Sequence, residues 1–298
     1  MESRPKVNER LPKMDPKSTH DLPSALDRID EIRSRAGEKG STGVFLDYDG
    51  TLTPIVSRPE DAVLSEQMRA VVRSLTRRCV VAVISGRGLN DVRERVGIDS
   101  IFYSGSHGFE IAGPGGWYEE YRKARSYLSV LDEAEAELHG LVDSIPGAQI
   151  ERKRYSIALH YRRAAERDLE KLKGYAETVQ RKHDRKLRLS PGKCVYDFQP
   201  RIDWHKGKAL DWLLETAFPK PEDVFLLYLG DDLTDEDAFR TIRDRGAGIV
   251  VRDENRPSEA EYALDGPDEV GLFLKSFANV PWADRCQESG KSRPGTGK

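Results

Sequence analysis

The sequence predicts an α/β fold in which a Rossmann-like, doubly wound parallel sheet carries an inserted α+β cap domain. Short, nearly continuous apolar runs alternate with helical patterns toward both ends of the chain, and each run ends in small or polar residues. Such runs are typical of strands buried on both faces, and their alternation with helices is typical of an open parallel sheet. The middle of the chain has paired strands instead, which indicates a separate α+β unit.

Five apolar runs are the predicted strands of the large sheet. They lie at 43–46, 80–84, 101–103, 224–229 and 248–251, and helical patterns lie beside them at 22–36, 65–77 and 235–243. Ligands of doubly wound sheets bind beyond the carboxyl ends of the strands. Asp47, Ser85 and Asp231 follow three of the runs, so we expect the functional site at that edge.

The inserted unit is predicted from the order helix, two strands, helix, two strands. The helical patterns lie at 124–144 and 164–183, and the strand patterns at 150–153, 157–161, 187–189 and 194–198. We therefore predict a disordered segment at 1–21, a core domain at 22–116 and 200–284, a cap domain at 117–199 and a disordered tail at 285–298. An insertion between strands of the sheet is placed to act as a lid on the site.

The composition is that of an ordinary soluble protein with a polar surface. The 48 basic and 51 acidic side chains give a net charge of −3, which provides no global field for nucleic acid or anionic lipid. Three scattered cysteines are too few for a disulfide framework, and their use fits a reducing cytosol. No apolar stretch approaches the roughly 20 residues that span a bilayer. We expect a cytoplasmic protein that binds neither nucleic acid nor membrane.

Two carboxylates follow the first predicted strand. Asp47 and Asp49 stand two residues apart and precede Gly50. Carboxylates held this close repel unless a cation or proton lies between them, and Mg²⁺ prefers oxygen ligands of this kind. An Asx-type turn closed by the glycine is the structural alternative.

A second acidic cluster follows the fourth predicted strand. Asp231 and Asp232 precede the next helical pattern, and Asp235 lies at its start. Acidic residues at a helix N-terminus also stabilise the helix dipole, so this cluster has a structural alternative as well. Two acidic clusters at two strand ends together predict a site for a divalent metal ion.

Two further segments can bind phosphate. Ser85, Gly86 and Arg87 connect a strand to a helix, where backbone N–H groups and a hydroxyl can hold phosphate oxygens. Lys206 opens the helical pattern after residue 205, although a lysine there opposes the helix dipole. A solvated side chain is the structural alternative for Lys206.

These four segments, in this order, resemble the haloacid dehalogenase superfamily of phosphotransferases. The resemblance implies that Asp47 is the nucleophile and that Asp49 is the acid/base. It implies that Ser85 binds the transferring phosphoryl group and that Lys206 neutralises charge. Asp47, the Asp49 backbone carbonyl and Asp231 would hold Mg²⁺, and Asp232 and Asp235 would support that metal site.

Within the superfamily, residues 46–54, 105–110 and 230–239 resemble the trehalose-6-phosphate phosphatase family, and the predicted cap has the order of elements of that family's cap. The resemblance implies that the substrate is bound by Gly86, Arg87, His107, Gly108, Glu110, Glu151, Lys153, Arg162, Lys193 and Asp197. Cross-strand ion pairing is the structural alternative for the cap residues. Two positions depart from the family, which usually has Glu in place of Asp197 and Arg in place of Gln199.

The resemblance implies a phosphoric monoester hydrolase that uses Mg²⁺ and an aspartyl-phosphate on Asp47 to convert trehalose 6-phosphate to trehalose and phosphate. A phosphatase for sucrose 6-phosphate or a glucosylglycerol phosphate is the first alternative. A phosphomutase shares the opening motif, and a non-catalytic sugar-phosphate-binding subunit would be expected to lack one of the reactive residues. We also expect a monomer, with a trehalose-6-phosphate synthase as a candidate partner.

Overall fold

The computed structural model describes residues 16–192 and 194–279. The strands of these residues are β1 (Lys17–Ser18), β2 (Ser41–Leu46), β3 (Val80–Ile84), β4 (Phe102–Gly105), β5 (Glu110–Ala112), β6 (Tyr118–Glu120), β7 (Gln149–Arg152), β8 (Ile157–His160), β9 (Leu187–Gly192), β10 (Val195–Pro200), β11 (Val224–Gly230), β12 (Gly246–Val251), β13 (Pro257–Ser258) and β14 (Tyr262–Leu264). The α-helices are α1 (Ile29–Gly37), α2 (Glu66–Leu75), α3 (Leu89–Val96), α4 (Leu128–Val142), α5 (Glu166–Lys182), α6 (Lys206–Ala217), α7 (Glu236–Ile242) and α8 (Pro267–Ala278).

Eight strands form the larger sheet, which we call the core sheet. Their order is β14-β12-β11-β2-β3-β4-β5-β6. The first six run parallel, and β5 and β6 extend the sheet antiparallel at one edge. The predicted α/β fold with a parallel core is confirmed, and all five predicted strands lie in the parallel part.

Helices cover both faces of the core sheet, as the alternation along β2 shows. Val44 and Leu46 belong to one apolar cluster with α1, α2, α3 and α8. Phe45, between them, belongs to a second cluster with α6 and α7. Because successive side chains of a strand point to opposite faces, each face of β2 is buried under helices. The strand therefore reads in sequence as an uninterrupted apolar run.

The first helix begins later than the sequence predicts. The helical spacing at 22–36 predicts one helix, whereas α1 begins at Ile29. Before it, the Ala25 N–H donates to the Ala263 carbonyl at 2.9 Å, and the Ala263 N–H donates to the Pro23 carbonyl at 2.9 Å. Backbone groups used in pairing with β14 are not available to a helix, so a short paired segment and the turn at 25–28 precede α1.

The two ends of the chain were predicted to be disordered. Within the described residues, β1 pairs antiparallel with β13, so residues 17 and 18 are part of a small two-stranded sheet. Residues 1–15 and the predicted tail at 285–298 lie outside the described residues. The domain division itself stays a prediction.

Four strands form the smaller sheet, which we call the cap sheet, in the order β7-β8-β10-β9. Helices α4 and α5 pack on one face of it through an apolar cluster of its own. Leu159 and Phe198 point into that cluster. The predicted order of helix and strand pairs is present, with β9 and β10 as the hairpin. The cap was predicted to begin at residue 117, but β6 (Tyr118–Glu120) pairs with β5 and so belongs to the core sheet.

The described helices are short relative to a bilayer. The longest of them, α5, has 17 residues and carries many charged side chains. Among residues 16–192 and 194–279, no helix is long and apolar enough to span a membrane.

Candidate active site

Three predicted site residues follow adjacent strands of the core sheet. Asp47 comes directly after β2, Ser85 after β3 and Asp231 after β11. The Asp47 N–H donates to the Leu229 carbonyl at 2.9 Å, and the Ser85 N–H donates to the Ser104 carbonyl at 2.9 Å. These bonds continue the parallel ladders beyond the strands and fix the backbone from which the side chains project. All three side chains are buried at the carboxyl end of the sheet.

Lys206 joins two of the carboxylates. It is the first residue of α6, and its Nζ lies 2.6 Å from Asp47 Oδ1 and 2.6 Å from Asp235 Oδ1. Its side chain is only 3% exposed, so the unfavourable position at a helix start is offset by two ionic partners. Asp47, Asp231 and Asp235 each offer an oxygen within 4.8 Å of the others.

The electrostatics of this cluster follow from burial. Burial raises the pKa of Asp47 well above its usual range; the charge of Lys206 opposes this, and the charges of Asp235 and Asp231 add to it. Burial alone would lower the pKa of Lys206, but the charges of Asp235 and Asp47 outweigh it and raise that pKa well above its usual range. The lysine is therefore cationic at neutral pH.

The charge balance fits a divalent metal ion. Three buried carboxylates and one ammonium group leave two formal negative charges in a site that excludes most water. Isolated buried charge costs several kcal/mol per ion. Carboxylate oxygens in this number suit Mg²⁺, which also keeps water and phosphate oxygens in its shell. The residues present therefore fit the predicted metal.

Asp235 accepts four hydrogen bonds, two at each carboxylate oxygen. Oδ1 accepts from Lys206 Nζ and from the Tyr228 hydroxyl, each at 2.6 Å. Oδ2 accepts from the backbone N–H groups of Asp231 and Asp232 at 3.1 and 3.0 Å. Asp235 thus holds the lysine and the 231–232 backbone in place. Asp232 is half-buried and caps the turn that follows, with Oδ1 accepting from the Leu233 N–H at 2.7 Å.

Gly50 allows the first acidic loop to approach the second. Its φ is +83°, and a Cβ there would lie 2.1 Å from Asp231 Oδ2. We expect Gly50→Ala to displace the Asp231 carboxylate and to raise the Mg²⁺ concentration for half-maximal activity about tenfold or more. The backbone strain adds a stability cost of about 1–2 kcal/mol. A magnesium titration of activity, with a thermal melt, measures both effects.

Gly115→Ala is the matched control for Gly50→Ala. Gly115 has a φ of +73°, but nothing lies within 4 Å of a Cβ at that position. The control should lose stability to a similar extent and keep the magnesium dependence of the wild type. An equal shift in magnesium dependence for both variants would show that strain, not contact with Asp231, is the cause.

Asp49 and Arg87 pair with each other across the mouth of the site. Arg87 Nε and Nη2 donate to the two oxygens of Asp49 at 2.7 Å each. Ser85 Oγ accepts from the Arg87 N–H at 3.1 Å, which shapes the turn after β3. A Cβ on Gly86 would lie 2.7 Å from the His107 ring, so the glycine lets residue 107 pack against this turn.

Core and cap meet around a cleft of about 220 Å³. Asp47, Asp49, Ser85, Lys206 and Asp231 line its floor. Residues of the cap sheet and of the loops after β7 and β8 line the opposite side: Gln149, Glu151, Lys153, His160, Arg162, Asp197 and Gln199. Alternation along β10 explains this, because Asp197 and Gln199 point to the cleft while Phe198 points to the cap helices. The cleft thus places Lys206 and the acidic cluster of the core opposite a polar surface of the cap, which we call the cap wall.

Two carboxylates of the cap are ionised and held by cations. Burial would raise the pKa of Asp197, but Lys153 and His107 outweigh it and hold that pKa at about 2. His107 Nε2 lies 2.8 Å from Asp197 Oδ2, which joins a core loop to the cap sheet. Burial would likewise raise the pKa of Glu151, but hydrogen bonding to His160 and the charges of Lys153, His160 and Arg87 hold it at about 2.

The structure does not bring every predicted substrate-binding residue to the cleft. A Cβ on Gly108 would lie 2.4 Å from Ala209 Cβ, so this glycine faces α6. Glu110 is buried away from the cleft, where Ser106 Oγ donates to it at 3.2 Å. The left-handed backbone of Ser106 and His107 turns the chain so that only His107 faces the cleft. Lys193 lies outside the described residues.

Other lining residues were missing from the predicted set. Gln149, Gln199 and Thr234 have no charge to mark them in sequence, and Ile55 and Pro59 line the apolar rim. His160 could have been included, because Ile157 and Leu159 of β8 point into the apolar cluster of the cap and His160 lies on the opposite, cleft face. The signal available for Gln149 was the same alternation along β7, two residues before Glu151.

The chain is similar to one solved structure and to two relatives that indicate its family. A solved structure of the C-terminal domain of C. albicans trehalose-6-phosphate phosphatase superposes with a TM-score of 0.76 at 23% identity, covering 86% of this chain and 98% of that one. A probable trehalose-phosphate phosphatase of Arabidopsis thaliana is 40% identical over 274 residues, which cover 87% of this chain and 77% of the relative. A Mycobacterium tuberculosis protein described as an uncharacterized glycosyl hydrolase is 43% identical over 264 residues, but the chain spans only 20% of its length.

The chain shares its α/β fold with that solved structure over most of both chains, so the predicted fold class is confirmed. The model of the trehalose-phosphatase family matches residues 45–268. The chain belongs to the trehalose-phosphatase family, and the resemblance found in sequence is confirmed.

Proposed function

We propose that this protein hydrolyses trehalose 6-phosphate to trehalose and phosphate, with Asp47 as the nucleophile. The observation that carries the proposal is the buried bridge of Lys206 between Asp47 and Asp235, beside Asp231 and open to the cleft. A carboxylate fixed at a strand end by a lysine is oriented toward a ligand in the cleft. The family membership supports the chemistry and the substrate class.

The reaction divides into two displacements. In the first, a carboxylate oxygen of Asp47 attacks phosphorus, and the bond from phosphorus to the sugar oxygen breaks. Asp49 gives the leaving sugar oxygen its proton. In the second, Asp49 takes a proton from water, the water oxygen attacks phosphorus, and the bond to Asp47 breaks to release phosphate.

Charge neutralisation and positioning do the remaining work. Lys206 offsets negative charge on Asp47 and on the transferring group, and Ser85 offers its hydroxyl to a phosphoryl oxygen. Asp47 and Asp231 would hold Mg²⁺, and Asp235 would keep the 231–232 backbone in register. The metal, when bound, supplies additional positive charge to the phosphoryl oxygens.

The cap wall suits a sugar with many hydroxyl groups. Glu151 and Asp197 are ionised acceptors, and Lys153 and Arg162 are donors beside them. Asp197 is shorter than the glutamate usual in the family, which keeps a second phosphosugar open as the substrate. Sucrose 6-phosphate and a glucosylglycerol phosphate are the alternatives to compare.

A substrate panel tests the proposal. Phosphate release with Mg²⁺ is measured for trehalose 6-phosphate, sucrose 6-phosphate, a glucosylglycerol phosphate and glucose 6-phosphate, with and without a chelator. We expect a clear preference in kcat/KM for trehalose 6-phosphate, and loss of activity with the chelator. Preference for another phosphosugar would keep the mechanism and change the substrate. Absence of turnover for all four would favour a binding subunit.

Lys153→Ala tests the role of the cap wall. Because Lys153 lies near Asp197 and Glu151 in the cleft, its removal should weaken recognition of the sugar and leave the phosphoryl chemistry unchanged. We expect kcat/KM for trehalose 6-phosphate to fall at least about tenfold, corresponding to about 1.4 kcal/mol. Activity on p-nitrophenyl phosphate, which has no sugar, should change by less than about twofold.

Lys173→Ala is the control for Lys153→Ala, since Lys173 is exposed on α5 on the outer side of the cap. It should leave both substrates unaffected. Equal losses on both substrates in Lys153→Ala would place this lysine outside sugar recognition. The cytoplasmic location, the monomeric state and the synthase partner stay predictions.

A further inference from the structure

Arg87 makes a two-point contact with Asp49 at the edge of the cleft. Nε donates to Oδ2 and Nη2 donates to Oδ1, both at 2.7 Å, which is the parallel geometry of a bidentate arginine–carboxylate pair. The Arg87 side chain is 9% exposed, whereas that of Asp49 is 37% exposed. A buried cation therefore holds a carboxylate that is open to the cleft.

The other donors of Arg87 are also engaged. Nη1 donates to Asp91 Oδ2 at 2.8 Å, and Nη2 donates to the Pro59 carbonyl at 2.8 Å. Four of the five N–H groups of the guanidinium thus have protein acceptors. The guanidinium carbon lies 5.2 Å from the centre of the Tyr48 ring, so one face of the cation is covered as well.

A second arginine supports this arrangement. Arg95 Nε donates to Asp91 Oδ1 at 2.7 Å, and its Nη1 donates to the Ala62 carbonyl at 2.9 Å. Asp91 is thereby held between two guanidinium groups, that of Arg87 in the turn before α3 and that of Arg95 one helical turn further along α3. The chain Arg95, Asp91, Arg87, Asp49 connects the helix to the carboxylate at the cleft.

This geometry argues against substrate binding by the Arg87 guanidinium, whereas the resemblance implies that Arg87 binds the substrate. To reach a phosphoryl group, the guanidinium would have to leave two charge-assisted hydrogen bonds to Asp49 and one to Asp91. Burial would lower the pKa of Arg87, but hydrogen bonds and charge from Asp49 and Asp91 raise it above its usual range. The Arg87 guanidinium therefore already has hydrogen-bond acceptors and negatively charged partners in this position.

We propose that Arg87 is a positioning residue that fixes the Asp49 carboxylate at the edge of the cleft and acts on catalysis through it. The pair leaves each carboxylate oxygen one further lone pair for the proton that Asp49 gives or takes. As the bond from phosphorus to the sugar oxygen breaks, that oxygen gains the proton of Asp49, and Arg87 stabilises the carboxylate that remains. The inference rests on the proposed role of Asp49 in the proposed function.

Two substrates separate positioning of Asp49 from phosphate binding. The sugar oxygen of trehalose 6-phosphate is a poor leaving group and needs a proton, whereas the phenolate of 2,4-dinitrophenyl phosphate leaves without one. The constant kcat/KM covers the steps up to the first phosphoryl transfer, so water activation in the second step does not enter it. We expect Arg87→Gln to lower kcat/KM about 100-fold for trehalose 6-phosphate, the lower end of general acid catalysis. The aryl phosphate should lose less than about threefold.

A double-mutant cycle adds an independent test. If Arg87 acts through Asp49, Arg87→Gln causes no further loss of kcat/KM for the sugar phosphate in an Asp49→Asn background. Equal losses on both substrates, or an undiminished loss in that background, would overturn the proposal and assign Arg87 to the phosphoryl group. Arg93 is exposed on α3, so Arg93→Gln is the matched control and should behave as the wild type.

Two further variants keep the test decisive if Arg87→Gln does not fold. Arg87→Lys keeps one charge but loses the two-point contact, so it should show the same substrate dependence as Arg87→Gln. Asp91→Asn removes the support behind Arg87 and should cause a smaller loss, about fivefold, on the sugar phosphate alone. Failure of the proposed function would be seen separately, because the wild type would then not hydrolyse trehalose 6-phosphate. In that case the double-mutant cycle is measured with the phosphosugar that the substrate panel shows to be hydrolysed.

Discussion

Asp47→Asn is expected to abolish turnover and leave the fold intact. The amide has no anionic oxygen to attack phosphorus, so the covalent route is closed, and we expect kcat to fall by at least about 10⁴-fold. Stability should not fall, because burial raises the pKa of Asp47 and its ionised form is therefore costly in the folded state. Lys206 keeps Asp235 as a partner at 2.6 Å. Phosphate release and thermal melts measure the two outcomes.

Asp203→Asn is the matched control for Asp47→Asn. Its side chain is 86% exposed and pairs with Lys208 on the surface, so the substitution should change neither activity nor melting temperature. Acid quenching of the wild type during turnover, followed by intact-mass analysis, should show a phosphorylated protein that Asp47→Asn does not form. Residual turnover in Asp47→Asn above the background of the control would contradict the covalent mechanism.

The sheet was predictable from sequence because burial on both faces leaves a direct mark. β2 and β11 lie between helical layers, so residues 43–46 and 224–230 form nearly continuous apolar runs that end at Asp47 and Asp231. The carboxyl ends of adjacent parallel strands share one edge, which was enough to predict that these residues meet. The helix before β2 was less predictable, since pairing of residues 23–25 with β14 replaces its first turns.

The partners of the site side chains were less predictable than their positions. Sequence spacing does not show that Asp235 accepts four hydrogen bonds, or that Arg87 donates two to Asp49. The loop at 105–110 is the clearest failure, because three successive residues with positive φ, Ser106, His107 and Gly108, reverse the direction in which side chains point. His107 therefore reaches the cleft, while Glu110, three residues later, is buried beside Ser106. Local backbone strain of this kind leaves no periodic signal in sequence.

Lys206→Met is expected to remove activity and to make the fold depend on metal. Without the ammonium, Asp47, Asp231 and Asp235 remain buried together, and breaking a buried ion pair by removing one partner costs about 3–5 kcal/mol. Loss of the positive charge at the transferring group should lower kcat about 10²- to 10³-fold. A divalent cation then no longer competes with an ammonium group for these carboxylates, so it should bind the variant more tightly and stabilise it more than the wild type.

Thermal melts across a magnesium titration, with phosphate release measured in parallel, test this result. The melting temperature of Lys206→Met should start below that of the wild type and rise further with Mg²⁺, while activity stays low at every concentration. Lys208→Met is the matched control, since Lys208 lies two residues along α6 and donates to the Asp203 carbonyl at the surface at 2.8 Å. It should keep wild-type activity and the wild-type magnesium response. A smaller gain in stability from Mg²⁺ for Lys206→Met than for the wild type would contradict this expectation. It would show that Lys206 supports metal binding and does not compete with the metal ion for the same carboxylates.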